Sequence, residues 1–241
     1  MNTHPEGLLD HYYQELSGLL LQNTSLSPSD EDVAIINALN NPPPVPVTAR
    51  DIYVRRCRLA GDGIDSGFGR FRTEDLPLLL HLVQGAPALI GHRKEGLGVA
   101  RFFGGEIAPD PRTGITYIIP KFYWMRAHSR SEDLRVNIDG GLWCEASLGF
   151  LFRQATCSLC GEEIRKCPHI PGKEYPQGLC YFYYDQIIKV TEGSFVYRGA
   201  QPGTGFMLND TPFSPLNLET LPRFRLHGVW YRGFPEKWLP L

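Results

Sequence analysis

The chain has 241 residues, long enough to bury a full core as one decorated domain or two small ones. Its 24 Lys and Arg against 26 Asp and Glu leave a formal charge of −2, which gives no global signal for nucleic acid or an anionic membrane. No apolar run approaches the ~20 residues of a membrane-spanning helix, and residues 1–7 lack the order of a signal peptide, so the protein is expected to stay in the cytoplasm where it is made.

The 20 prolines and 25 glycines favour turns and short strands over long helices. Residues 1 to about 40 nevertheless read as helical. Leu8, Leu9, Tyr12, Leu16, Leu19 and Leu20 recur at helical spacing, and Ser29 followed by Asp30, Glu31 and Asp32 marks a second helix start before Val33, Ile36 and Leu39. His4 and His11 fall in this arm and read as surface residues. Residues 40–47 (NNPPPVPV) form a polyproline-type connector, which sets a boundary between a 1–47 arm and a main domain over 48–205.

Residues 52–59 read as a strand and 61–69 as a glycine-rich turn, in which Asp62 and Asp65 are turn residues rather than ligands. Residues 73–84 read as a helix with Thr73 as cap, Pro77 near the start, His81 on its surface and Gly85 past the end. Residues 88–92 (ALIGH) are a short apolar approach to His92; 97–107 and 115–123 pair as a hairpin around a turn at 109–114. A helix over 131–138 stops at Gly140 and Gly141 and delivers the chain into residues 141–150 (GLWCEASLGF). There apolar and small or polar residues nearly alternate, as on a half-buried strand, with Ser147 inside it and little bulk at Ala146 and Gly149. Residues 181–197 are β-branched and aromatic enough for one long or two short strands, and 206–241 form a tail with five prolines and no assignable fold.

Cys157, Cys160, Cys167 and His169 have the spacing C-x2-C-x6-C-x-H. Three thiolates and one imidazole in a short loop make a closed tetrahedral set for zinc with no position left for water, so the role expected is structural. Gly161, directly after the second cysteine, suits the tight turn that aims backbone N–H groups at metal-bound sulfur. Glu162, Glu163, Arg165 and Lys166 nearly cancel in charge, which argues against nucleic acid. Cys57, Cys144 and Cys180 lack such company and read as buried or unreactive, with Cys144 a minor rival nucleophile three residues from Ser147.

Three separated segments, taken in order, resemble the tailed-phage prohead (capsid maturation) proteases, distant relatives of the herpesvirus assemblins. They are the histidine of ALIGH, His92, followed by a glycine-bearing strand; Ser147 in an S-x-G-F setting; and an E-x-S-x-V segment at Glu192, Gly193, Ser194, Phe195 and Val196, followed by YRGAQPG. The likeness covers roughly residues 50–205, and some phage relatives also carry a cysteine-rich loop after the serine strand. Arg93 stands where many relatives have an acidic residue, and Gly193 where a β-branched one is usual.

The resemblance implies an α+β fold, a compact and mainly antiparallel β-barrel surrounded by helices, with the zinc loop at 157–169. It implies a serine endopeptidase with His92 as general base and Ser147 as nucleophile. A serine hydroxyl is a poor nucleophile near neutral pH until an imidazole accepts its proton, and that imidazole needs a partner to fix its tautomer. Glu192 is the candidate partner; His128 and Asp139 are rivals, because the assemblins resemble a Ser-His-His arrangement. The implied substrates are scaffold and major capsid proteins, and the chain's own termini, inside the assembling prohead in the host cytoplasm; self-association is compatible with this. Two other classes stay open: a non-catalytic capsid-assembly or scaffold module of the same fold, and a zinc-dependent nucleic-acid or protein adaptor.

Overall fold

Turn and cap residues cut the apolar runs of this chain into short elements. The computed structural model describes residues 27–96, 98–111 and 113–196, together with the backbone alone of 12–21, 223–226 and 229–232. In chain order these are β1 (Tyr12–Leu21), α1 (Asp30–Asn37), β2 (Ile52–Cys57), β3 (Ala60–Gly61), β4 (Gly69–Arg70), α2 (Leu76–Leu82) and β5 (Pro87–Ile90). Then follow β6 (Ala100–Pro109), β7 (Thr116–Met125), α3 (Ser131–Asp139), β8 (Glu145–Cys157), β9 (Glu174–Tyr175), β10 (Gly178–Leu179), β11 (Phe182–Val196), β12 (Arg223–Leu226) and β13 (Val229–Arg232). Residues 1–206 cluster as one unit and 207–241 as a second, in which β12 and β13 pair antiparallel. His4, His11 and the segment YRGAQPG lie outside the described residues.

The fold is α+β and sheet-dominated, with three short α-helices among the described residues. Local chemistry explains the helices. Ser29 caps α1 in a full capping box, its hydroxyl accepting from the Asp32 N–H and its own N–H donating to the Asp32 carboxylate, both at 3.1 Å. Thr73 does not cap the second helix: it opens a 3-10 turn over Thr73–Asp75, and its hydroxyl donates to Asp62 at 2.6 Å instead. Asp65 accepts from the N–H groups of Gly67 and Gly69 and from the buried Tyr184 hydroxyl, so both aspartates are consumed by the fold, as turn residues are.

One sheet of nine strands runs β2-β1-β8-β11-β5-β6-β7-β3, with β4 added beside β11 and a further pairing of β2 with β7. It is not the closed barrel that the resemblance implied. Among the described residues β1 meets β2 over only two residue pairs, and the two-residue strands β3 and β4 are left as edges. The helix expected over the first leucine run is also overturned: β1 is a strand, paired with β8 from Tyr12↔Phe152 to Leu19↔Glu145. Ser17 and Gly18 in mid-run are poor helix formers, and a long-range ladder outcompetes a weak local preference.

The core lies on one face of the β8–β11 pair. Phe71, Phe150 and Tyr184 pack at ring separations near 5 Å, and Phe122 contacts both Trp124 and Phe195. Each such ring, fully buried, stabilises the fold by about 1.5–3 kcal/mol. Gly193 belongs to this face, because a Cβ there would collide with the Phe102 ring. Its register partner Leu148, and the pair Phe195↔Ala146, are buried with it.

Candidate functional site

Strand parity then sends the intervening residues to the opposite face. Ser147 pairs with Ser194, so the two serines lie opposite one another on neighbouring strands and share that face. Glu192 would point to the core beside Val190 if β11 ran regularly. It does not, because the register slips between Val190 and Glu192: Val190 pairs with Phe150, and Glu192 pairs with the next residue back, Gly149. This bulge at Thr191 puts Glu192, and with it Ser194 two residues on, on the face opposite Val190.

His92 reaches the same place from β5, which runs parallel to β11 with Leu89 beside Ser194. Beyond β5 the chain turns with Gly91 at φ 60° and His92 at φ 57°, closed by the Arg93 N–H donating to the Ile90 carbonyl at 3.4 Å, the pattern of a type I′ turn. A non-glycine residue there is uncommon and points to constraint by its surroundings. The His92 N–H donates to the Ser194 hydroxyl oxygen at 3.1 Å. Its ring Nδ1 lies 2.8 Å from Glu192 Oε1, and the Ser194 hydroxyl donates to Glu192 Oε2 at 2.7 Å.

Glu192 is thus 2% exposed with a partner on each oxygen, the condition under which a buried carboxylate is tolerated. With Nδ1–H donating to that carboxylate, neutral His92 carries its lone pair on Nε2, the tautomer a general base requires. The imidazole is half-buried and borders an exposed loop at 93–96, whereas Ser147 is 2% exposed. The structure therefore joins His92 to Glu192 directly and sets Ser147 one strand across from Ser194.

The rivals are engaged elsewhere. Asp139 makes a two-pronged ion pair with Arg55, both contacts at 2.7 Å. His128 is exposed, its Nδ1 accepting from the Arg130 N–H. Burial and the neighbouring Glu145 charge push the Cys144 thiol up, away from the thiolate that attacks. Beside the His92 turn lies a cleft of about 490 Å³ bordered by Ile90 and Arg93, with Leu134 and Trp143 as apolar wall and Glu95 and Asp133 as acids.

No family model, curated protein or solved structure matches this chain.

The second cluster stands on the far ends of the same two strands. Cys157 closes β8, and the loop beyond it brings one donor atom each from Cys157, Cys160, Cys167 and His169 within 4.8 Å of one another. Thiolates about 2.3 Å from a tetrahedral metal are about 3.8 Å apart, so these donors fit one shared ion such as zinc. Gly161 adopts φ 77° and its N–H donates to the Cys157 carbonyl, closing the turn. Burial raises the Cys157 thiol, but the N–H groups of Leu159 and Cys160 and the adjacent thiols outweigh it and bring it to about 7. His169 packs edge-on against Tyr175 at 4.9 Å, which fixes its ring.

Sequence reading missed two members of these clusters. Cys180, which stands alone in the sequence pattern, is buried beside the Cys157 sulfur, and burial with the Cys157 charge raises its thiol to about 11. Ser194 was visible within the E-x-S-x-V segment but had no role. Its signal was its spacing of two from Glu192, which in a strand puts both on one face.

Proposed function

We propose that the chain is a serine endopeptidase of the prohead-protease kind, with Ser147 as nucleophile, His92 as general base and Glu192 as the carboxylate that orients and stabilises the imidazolium. The observation that carries this is the 2.8 Å contact between His92 Nδ1 and a carboxylate 100 residues away, on a sheet face that also bears Ser147. In this reading Ser147 loses its proton to His92 Nε2 as it attacks a peptide carbonyl, and His92 returns that proton to the leaving amine. The cleft beside the His92 turn would receive the substrate, its apolar wall taking a side chain and its mixed charges the flanking polar groups.

Zinc in the four-donor loop would be structural, because all four positions of the metal are filled by protein. Scaffold and major capsid proteins inside the assembling prohead, and the chain's own termini, are the proposed substrates, a reading supported by the order of the His92, Ser147 and Glu192 segments. The test is a fluorophosphonate probe on the full chain followed by peptide mass mapping. We expect one adduct, on Ser147, absent in Ser147→Ala and His92→Ala; a folded chain that takes up no probe removes the proposal.

One observation favours a second reading. Ser147 is 2% exposed, which suits a non-catalytic capsid-assembly module of the same fold. That reading predicts no adduct on Ser147 under any condition that leaves the chain folded.

A further inference from the structure

Ser194 is 1% exposed and its hydroxyl is used twice. It donates its proton to Glu192 Oε2 at 2.7 Å and accepts the backbone N–H of His92 at 3.1 Å. Glu192 in turn holds His92 Nδ1 at 2.8 Å, so the three residues close a ring of hydrogen bonds: backbone of His92 to Ser194, Ser194 to Glu192, Glu192 to the imidazole of His92.

Each contact answers a separate need. His92 sits at φ 57°, a conformation that non-glycine residues adopt only when something holds them, and its N–H is held by Ser194. The Ser194 hydroxyl holds the second oxygen of the Glu192 carboxylate and so restricts rotation about its last bond. A hydroxyl has a single proton, and that of Ser194 lies on the carboxylate, so Ser194 is not poised to give a proton to the imidazole. This separates it from Ser147, which faces it across β8 and β11.

We infer that Ser194 is a positioning residue that locks the His92 turn and the Glu192 carboxylate into one rigid acid–base unit. The kinetic consequence rests on the peptidase reading above; the structural one does not. Ser194 should therefore act on the turnover of the site through His92 and not through contact with substrate.

The experiment compares the wild-type chain with Ser194→Ala and with Ser194→Thr, which keeps the hydroxyl. Proton NMR follows the far-downfield Nδ1–H signal of His92 and the exchange rate of its backbone amide, and fluorophosphonate inactivation is split into probe affinity and maximal rate. For Ser194→Ala we expect the ring signal to move or broaden, the amide to exchange about tenfold faster or more, and the maximal rate to fall about 10–100-fold with probe affinity nearly unchanged. Ser194→Thr should recover most of each change. An alanine variant that keeps both NMR signals and merely melts earlier overturns the inference, as does an adduct mapped to Ser194 itself. If the wild type takes up no probe, the peptidase reading fails, while the two NMR readouts still decide whether Ser194 locks the turn.

Discussion

The strands β8 and β11 carry a polar cluster at each end, and the two are built on opposite principles. At one end Ser147 and Ser194 face each other across the ladder, Glu192 follows directly on a bulge, and a histidine arrives from β5. At the other, Cys157, Cys160, Cys167 and His169 are supplied by one loop and its strand end. Ser147 and Cys157 are separated by about 30 Å at the usual rise per strand residue, too far for a metal at one end to take part in chemistry at the other. With a metal bound, the four-donor loop would staple the strand pair whose other end holds hydroxyl, carboxylate and imidazole in register.

The strongest blow to the proposed chemical end is Ser147→Ala, for which probe uptake should fall about 1,000,000-fold, to background, while the melting temperature stays within a few degrees. Uptake that persists would move the nucleophile elsewhere. Glu192→Gln comes next, because an amide can hold the ring in the wrong tautomer; the maximal rate should drop about 10,000-fold with probe affinity preserved. A fall confined to affinity would contradict the assigned role.

The stapling end should respond in stability and not in chemistry. Cys157→Ser should cut bound zinc, read by elemental analysis of protein purified under reducing conditions, from about one per chain to near zero and lower the melting temperature by about 10 °C or more. Cys180→Ala should keep its zinc, since four donors are complete without it. Zinc lost from Cys180→Ala but not from a variant lacking His169 would exchange the two residues in the ligand set.

The smallest effect belongs to the Arg72–Asp185 pair, at 2.6 Å and partly exposed, which lies toward the loop end of β11. Burial raises the Asp185 carboxyl, but the hydrogen bond from Arg72, that of Thr156 and the Arg72 charge outweigh it and leave it below the usual aspartate range. A carboxyl lowered by folding stabilises above its unfolded value, near pH 4, and that contribution is lost as pH falls through the lower folded value. Asp185→Asn should therefore cost below about 1 kcal/mol in denaturant melts at pH 7, with the difference shrinking in acid. A gap that widens as pH falls would refute the assignment.

How much was legible depended on the distance over which each feature is decided. The convergence of the four donor residues was readable, because they span 13 residues and short loops have few ways to close. The helix start at Ser29 was readable for the same reason, as was the turn role of Asp65, whereas Asp62 is held by Thr73 and the distant Thr116. The β1 segment was not, since leucines at helical spacing also serve a strand once β8 offers a ladder. Cys180 escaped because its partner stands 23 positions back, on the neighbouring strand.

The sequence by itself determined residue types and local geometry: which side chains can bind a metal, where helices begin, where the chain must turn. Tertiary structure alone decided that a bulge at Thr191 puts Glu192 and Ser194 on the face opposite Val190, that a left-handed turn after β5 lands His92 on that carboxylate, and that Ser194 ties the two. The physical reason is that strand parity and register are properties of paired chains. A one-residue slip in pairing moves a side chain to the other face of a sheet, and nothing in the slipped segment's own composition records it.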